Sequence, residues 1–226
     1  MNYWIRHVEV LPFSLWTGLQ ISISQVCLLF GIIVMAKLFL MYHSVRFLKW
    51  ALCMCFAFFT LRTISFIRCR NQKWMIIYNI PKKQAIDFIA GRNCYYTGDP
   101  GIQTDESARN FYLQPARILY RGSMLQNLPD LPRTGIICFA GKKILFANSD
   151  FVIADKFKPD TCDLLVISGR SHFNLVKFNT SLPSRQIITD GTVSVKAALY
   201  WKKKADSLRI PIHDINRDGA FVMTLN

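Results

Sequence analysis

Between Ser24 and Ile67 the chain carries two apolar runs separated by a short basic break, and no other feature restricts its fold as much. Ser24–Tyr42 (SQVCLLFGIIVMAKLFLMY) holds one charge, Lys37, and Trp50–Ile67 (WALCMCFAFFTLRTISFI) holds one, Arg62. A helix needs about 20 apolar residues to cross about 30 Å of hydrocarbon. In lipid a backbone amide finds a partner only inside its own helix. The runs are therefore expected as transmembrane helices over 24–42 and 50–67, with His43–Lys49 as a tight reversal between them. Residues 1–70 then form a membrane region and 71–226 a separate soluble domain of ordinary size.

The flanks add to this picture. Phe13–Ile23 (FSLWTGLQISI) is moderately apolar and carries Trp16, as expected of an interfacial segment leading into the first helix. The first 14 residues contain Arg6, His7 and Glu9 with no apolar core, so no secretory leader is expected. Arg46 and Lys49 stand between the helices, whereas Arg68, Arg70 and Lys73 follow the second. By the positive-inside rule that margin of one charge favours a cytoplasmic soluble domain. Net charge is +14, with Lys and Arg in excess both in the first 70 residues and after them. Such an excess suits anionic lipid or a polyanion such as DNA. Seven cysteines, with no paired or metal-type spacing, read as free thiols. Cys94, Cys138 and Cys162 sit in apolar contexts and are expected to be buried.

After Arg70 the pattern changes to short β-type runs divided by turns. Trp74–Ile80, Ala85–Ile89 and Cys94–Thr97 are expected strands. Asp105–Leu113 is an expected helix closed by Pro115. Ile136–Ala140 and Lys143–Ala147 flank Gly141-Lys142 as a hairpin. Asp163–Ser168 (DLLVIS) is apolar throughout, the mark of a strand covered on both faces. A weak helix over His172–Asn179, a strand at Gln186–Thr189 and an amphipathic helix over Val195–Leu208 follow. Strands at Ile210–Ile215 and Ala220–Leu225 around the turn Asn216–Gly219 close the chain. Sheet elements with helices among them, and no strict βαβ repeat, imply a layered α+β sandwich.

Chemistry-bearing patterns are sparse. The soluble part has two histidines, His172 and His213, in no HxH, HxxxH or HxxE arrangement. A metal needs three or more converging donors, so none is expected. There is no GxSxG, P-loop or dinucleotide fingerprint. Asp87 and Asp190 fall at expected strand ends, where aspartates more often cap helices than catalyse. Basic clusters are Lys82-Lys83, Lys142-Lys143, Lys156/Lys158 and Lys202-Lys203-Lys204. Each is either a solvated face or a surface that tracks phosphates.

LPFSLWTGLQIS ahead of the first helix, then MIIYNIPKKQAIDFIAGRNCYYTGD and NFYLQPARILYR, resemble the C-terminal third of ComEC-family DNA-uptake channels of the Bacteroidetes type. DLLVISG, QIITDG, YWKKKADSLRIPIHDI and the closing DGAFVM resemble the same family's tail, colinearly over nearly the whole chain. The resemblance implies a multi-helix inner-membrane region that passes single-stranded DNA. It also implies a metallo-β-lactamase-like αββα sandwich on the periplasmic side, opposite to the charge margin. This chain would hold the last two helices and the sandwich, with the rest of the pore supplied upstream or by other channel subunits.

Metal-binding members of that family have an HxHxDH loop after a strand like ARILY. Here Arg121-Gly122-Ser123-Met124-Leu125 stands there. Gly169-Arg170 replaces two adjacent histidines after DLLVIS, and only Asn148 or Asp150 could match the aspartate expected after ILFA. Without imidazoles no metal pair can generate hydroxide. The sandwich is therefore expected to be degenerate, with no cofactor, no catalytic residue and no enzymatic activity. Its expected role is to guide DNA to the pore, with Lys142, Lys143, Lys202, Lys203 and Lys204 as phosphate contacts. Two alternatives remain: a membrane-tethered metal-dependent hydrolase or nuclease with an atypical site around His172, His213, Asp190 and Asp214, and a purely structural remnant.

Overall fold

A computed structural model describes residues 20–124, 135–148, 161–169, 175 and 183–225. The expected interfacial segment, Leu125, Asp150, Lys156, Lys158, Arg170 and His172 lie outside the described residues, as does the helix expected over 172–179 apart from Leu175. The chain forms two compact units: residues 20–71 with Ile118–Arg121, and Gln72–Arg117 with residues 122–225.

In the first unit, α1 (Ile23–Tyr42) and α2 (Val45–Asn71) are both long and apolar enough to cross a membrane. The reversal is shorter than expected. His43 takes a left-handed conformation (φ 50°) and donates its N–H to Phe39 O at 2.8 Å, which ends α1. After Ser44 the chain is helical again. Arg46 and Lys49 thus form the first turns of α2 rather than a loop. Apolar side chains point outward along both helices: Leu40 is 71 % exposed and Phe56 75 %. An apolar surface of this extent suits a membrane or a protein partner. Where a threonine interrupts α2 its hydroxyl is satisfied within the helix, Thr60 on Phe56 O and Thr63 on Phe59 O. Gly31 lets the two helices approach closely, since a Cβ there would meet Met54 Sδ at 2.9 Å. Arg62 donates to Gln20 O at 3.1 Å, so its charge is directed to the start of α1.

The second unit contains two five-stranded sheets. One runs β10-β1-β2-β3-β4, with β1 (Lys73–Ile77), β2 (Ala85–Ala90), β3 (Asn93–Gly98), β4 (Ser123–Met124) and β10 (Phe221–Thr224). The other runs β5-β6-β7-β8-β9, with β5 (Gly135–Phe139), β6 (Lys142–Ala147), β7 (Cys162–Ile167), β8 (Ser184–Thr189) and β9 (Ile212–Asp214). Strand alternation sorts each side chain to a face. Met75, Ile77, Ile86 and Phe88 of the first sheet share a core with Ile144, Phe146, Leu164, Val166 and Ile188 of the second. The opposite face of the second sheet (Leu145, Leu165, Ile167, Ile187) packs on Ala198, Trp201 and Ala205 of α6 (Val195–Ser207). Each fully buried Ile, Leu or Phe here contributes about 1.5–3 kcal/mol. The α+β expectation holds, and β7 is buried on both faces as its unbroken apolar run implies.

Several boundaries shift for local reasons. The helical run does not stop at Pro115. It passes through α3 (Pro100–Thr104), α4 (Glu106–Ala108) and a π turn over Arg109–Leu113 into α5 (Gln114–Leu119). The π turn accommodates the break in the hydrogen-bond ladder that Pro115 brings. The segment ARIL is therefore helical, not a strand. The β5–β6 turn is Ala140-Gly141, both left-handed (φ 50° and 79°), so Lys142 is the first residue of β6 and lies outside the turn. Residues Ile215–Asp218 form a single helical turn, α7, capped by Asp214 accepting from Asn216 N. Cys94 and Cys162 are buried, but Cys138 is exposed, on the face of edge strand β5 opposite to Ile137.

Candidate nucleic-acid interface

Strands β6, β7, β8 and β9 are parallel to one another. Their starts therefore gather at one end of the sheet and their carboxyl ends at the other. The two ends carry opposite chemistry.

At the starting end, Lys142, Asp163 and Arg185 meet. Asp163 accepts from Lys143 N at 3.0 Å and Lys142 Nζ at 3.4 Å, and Arg185 Nη1 stands 3.8 Å away. The Lys143 amide, followed by these two cations, holds its carboxyl below the usual range. Lys142 is thus partly neutralised, and Lys143 enters the cluster through its backbone. Sequence reasoning missed Arg185, because Asp163 stands between it and Lys142 only in three dimensions. Lys202, Lys203 and Lys204 on α6 differ: all are exposed, and none pairs with a carboxylate among the described residues. Buried Trp201 and Ala205 fix the inward stripe of α6, which forces these lysines outward.

Lys202 also borders a groove of about 310 Å³ between α6, β9 and α7, floored by Val195, Ala198, Leu199 and Ile212. Its rim sets Lys202 and Arg217 against Asp214 and Asp218, so the charges cancel. That favours no phosphate.

The carboxyl ends hold a buried polar cluster around Asp190, which follows β8 and is 1 % exposed. Its Oδ1 accepts from Thr192 N at 2.9 Å and from the Thr192 hydroxyl. Thr192 Oγ1 in turn receives Gly169 N at 2.6 Å, and Gln84 Nε2 donates to Ser168 Oγ at 2.8 Å alongside. Asp190 Oδ2 is buried with no hydrogen-bond partner among the described residues. Burial pushes this carboxyl above its ordinary value, against the opposing pull of Ser168, Thr192 and Gln84. A carboxylate with a raised folded pKa gives stability that is complete below its unfolded value, about 3.9. That stability is lost as pH rises through the folded pKa. Asp190→Asn is accordingly expected to match or exceed the natural chain by about 1 kcal/mol at pH 8 and to lose that margin by pH 4. Thermal unfolding of the full chain in detergent at both pH values checks this, and a variant less stable at both contradicts it.

Asp87 is neither a strand end nor a cap. It lies inside β2, fully buried, and takes a bidentate pair of bonds from Arg117 (Nε–Oδ2 2.8 Å, Nη2–Oδ1 2.9 Å) together with Tyr78 Oη at 2.8 Å. The Arg117 guanidinium lies 5.8 Å from the centre of the Tyr96 ring. Burial, then the Asp87 charge, drives the Tyr78 hydroxyl far above its usual range. This is a buried structural network that ties α5 to β2.

His213 Nε2 lies 3.0 Å from Gly219 O, and Asp214 accepts from Thr189 Oγ1 at 3.1 Å. The described residues bring together no group of three or more His, Cys, Asp or Glu side chains able to hold a metal ion.

Residues 75–225 match the family model described as the ComEC C-terminal domain. The chain belongs to the ComEC family. The match covers both sheets and α6, so the ComEC assignment rests on the second unit as a whole. ComEC proteins are DNA-uptake competence proteins that work at a membrane, in keeping with two helices apolar enough to span one. No curated protein and no solved structure matches this ComEC chain.

Proposed function

We propose that this chain is a membrane-anchored, non-catalytic part of a DNA-uptake channel, whose sandwich guides DNA to the pore. The observation that carries the reading is the exposed pair Lys203 and Lys204, which meets no carboxylate at ion-pair distance among the described residues, in a member of a DNA-uptake family. Lys202 adds less, because Asp214 and Asp218 share its groove rim. Lys143 and Lys142 extend the pair more weakly, because Asp163 already holds the latter. On this reading α1 and α2 pack in the inner membrane against the remaining channel helices, and the sandwich faces the periplasm. Two sheets face to face with helices outside agree with a metallo-β-lactamase-like ancestry. Gly169, where metal-binding relatives are expected to carry a histidine after a DLLVIS-like strand, supports a lost active site. The segment ahead of Gly122 is a helix and not a strand, so it lends this reading nothing.

The test is fluorescence anisotropy of the full chain in zwitterionic nanodiscs with a single-stranded oligonucleotide, across a salt series. Affinity should fall steeply with salt. Replacing Lys202, Lys203 and Lys204 by Gln should flatten the log–log slope by about 2, the value for three phosphate contacts on a single strand. No binding at low salt, or an unchanged slope in the triple variant, rejects the guiding role. Chelator-sensitive cleavage of the oligonucleotide on adding Mn²⁺, Mg²⁺ or Zn²⁺ rejects the non-catalytic one.

A further inference from the structure

The outward face of α6 carries an aromatic ring as well as charge. Tyr200 is 52 % exposed, although its neighbour Trp201 is buried at 2 % and meets it edge-on at 5.3 Å between ring centres. Lys196, Lys203 and Lys204 stand at i−4, i+3 and i+4 from Tyr200, the helical positions that surround it on the surface. Lys204 Nζ stands over one face of the ring, 5.8 Å from its centre, so a base stacking on that face would have to displace it. None of these lysines pairs with a carboxylate among the described residues. An exposed tyrosine offers a flat π-face, held steady by the buried tryptophan beneath the helix and ringed by cations. Duplex DNA cannot use such a face, because its bases are already stacked. A single strand can, because its bases are free to stack on an aromatic side chain while lysines hold the adjoining phosphates.

We infer that Tyr200 is a base-stacking residue and that α6 is a single-strand binding site, with Lys196, Lys203 and Lys204 on the flanking phosphates. The inference rests on the DNA reading above and sharpens it: the lysines supply affinity for any DNA, and Tyr200 supplies the preference for unpaired bases. Exposed Val195 and Leu199 on the same helix would suit an anionic lipid surface instead, and an interfacial tyrosine beside lysines would fit there too, so the experiment carries a vesicle arm.

The experiment compares the natural chain, Tyr200→Ala and Tyr200→Phe, each full length in zwitterionic nanodiscs. The ligands are oligo-dT, the matching duplex and an abasic strand of equal length. Tyr200→Ala should weaken oligo-dT binding at least about fivefold, the lower end for one aromatic stack. Duplex and abasic-strand binding should stay within about twofold, and Tyr200→Phe should behave as the natural chain. The natural chain itself should bind the abasic strand at least about fivefold less tightly than oligo-dT, a result independent of how the variants fold. Equal effects of Tyr200→Ala on all three ligands, or none, overturn the stacking role while leaving the lysine-based guiding role intact. Co-flotation with phosphatidylglycerol vesicles that is lost in Tyr200→Ala, with oligo-dT binding unchanged, assigns the face to lipid and likewise overturns it. If the triple lysine variant keeps its salt slope while Tyr200→Ala loses oligo-dT, the guiding role and the phosphate contacts of Lys203 and Lys204 fail and only stacking by Tyr200 stands.

Discussion

Arg117→Met should destabilise the sandwich by about 3–5 kcal/mol, enough to unfold many domains outright. The guanidinium and the Asp87 carboxylate are 4 % and 0 % exposed, so neither can turn to water when its partner is removed. Deleting Arg117 leaves a carboxylate inside β2 with the neutral donors Tyr78 and Cys94 and no cation to compensate it among the described residues. Asp87→Leu alone should cost a similar amount, since it strands the guanidinium. The double variant Asp87→Leu/Arg117→Met should recover much of the loss, because a buried ion pair gains little over an apolar pair of similar volume. Denaturant unfolding of the full chain in detergent, followed through its β-sheet circular dichroism, measures all three. If Arg117→Met costs less than about 1 kcal/mol, the network is not holding the helical run to the sheet.

Gly191→Ala should be nearly as damaging, for a purely steric reason. A Cβ at this position would stand 2.3 Å from Ile80 O, well inside van der Waals contact and against backbone that has no rotamer to yield. The same crossing is tied by Lys82 N donating to Gly191 O at 2.9 Å, so relief requires the β1–β2 loop to withdraw and break that bond. A cost of about 3 kcal/mol is expected, at the upper end for inserting one methyl group into packed structure. Gly135→Ala is the contrast: nothing lies within 4 Å of its Cβ, so any cost there comes from its left-handed φ of 130° alone. Equal melting temperatures for Gly191→Ala and the natural chain would show that the loop crossing is soft.

The parts of this molecule legible in the sequence are those whose cause is local. Both apolar runs are legible as long apolar helices, and the unbroken DLLVIS run as a buried strand. The amphipathic helix is legible in place, but it turns Ala198, Trp201 and Ala205 inward and leaves Val195 and Leu199 exposed. The family likeness is legible too, because it depends on the order of short motifs. What escaped is set by groups far apart in the chain. Asp87 and Arg117 are 30 residues apart, and no spacing rule joins them. Asp163, 21 residues from Lys142, takes that lysine out of the uncompensated set. Two errors were local but unusual. A π turn let a helix run past Pro115, and Ala140 took a left-handed conformation normally left to Gly or Asn. Tyr200 was hidden for another reason: its exposure follows only once Trp201 is known to fill the core.

The pairing of β1 with β10 has a consequence for biosynthesis. Trp74 is registered against Thr224 and Ile77 against Phe221, so the first strand after the two apolar helices finds its neighbour about 150 residues later in the chain. A ribosome adding 5–20 residues per second needs roughly 10–30 s to travel that distance. Throughout that interval β1 exposes an unpaired edge, the kind of surface on which nascent chains aggregate. Sheet closure thus waits until Phe221–Thr224 has been made, and a premature stop before Phe221 would leave the edge permanently open.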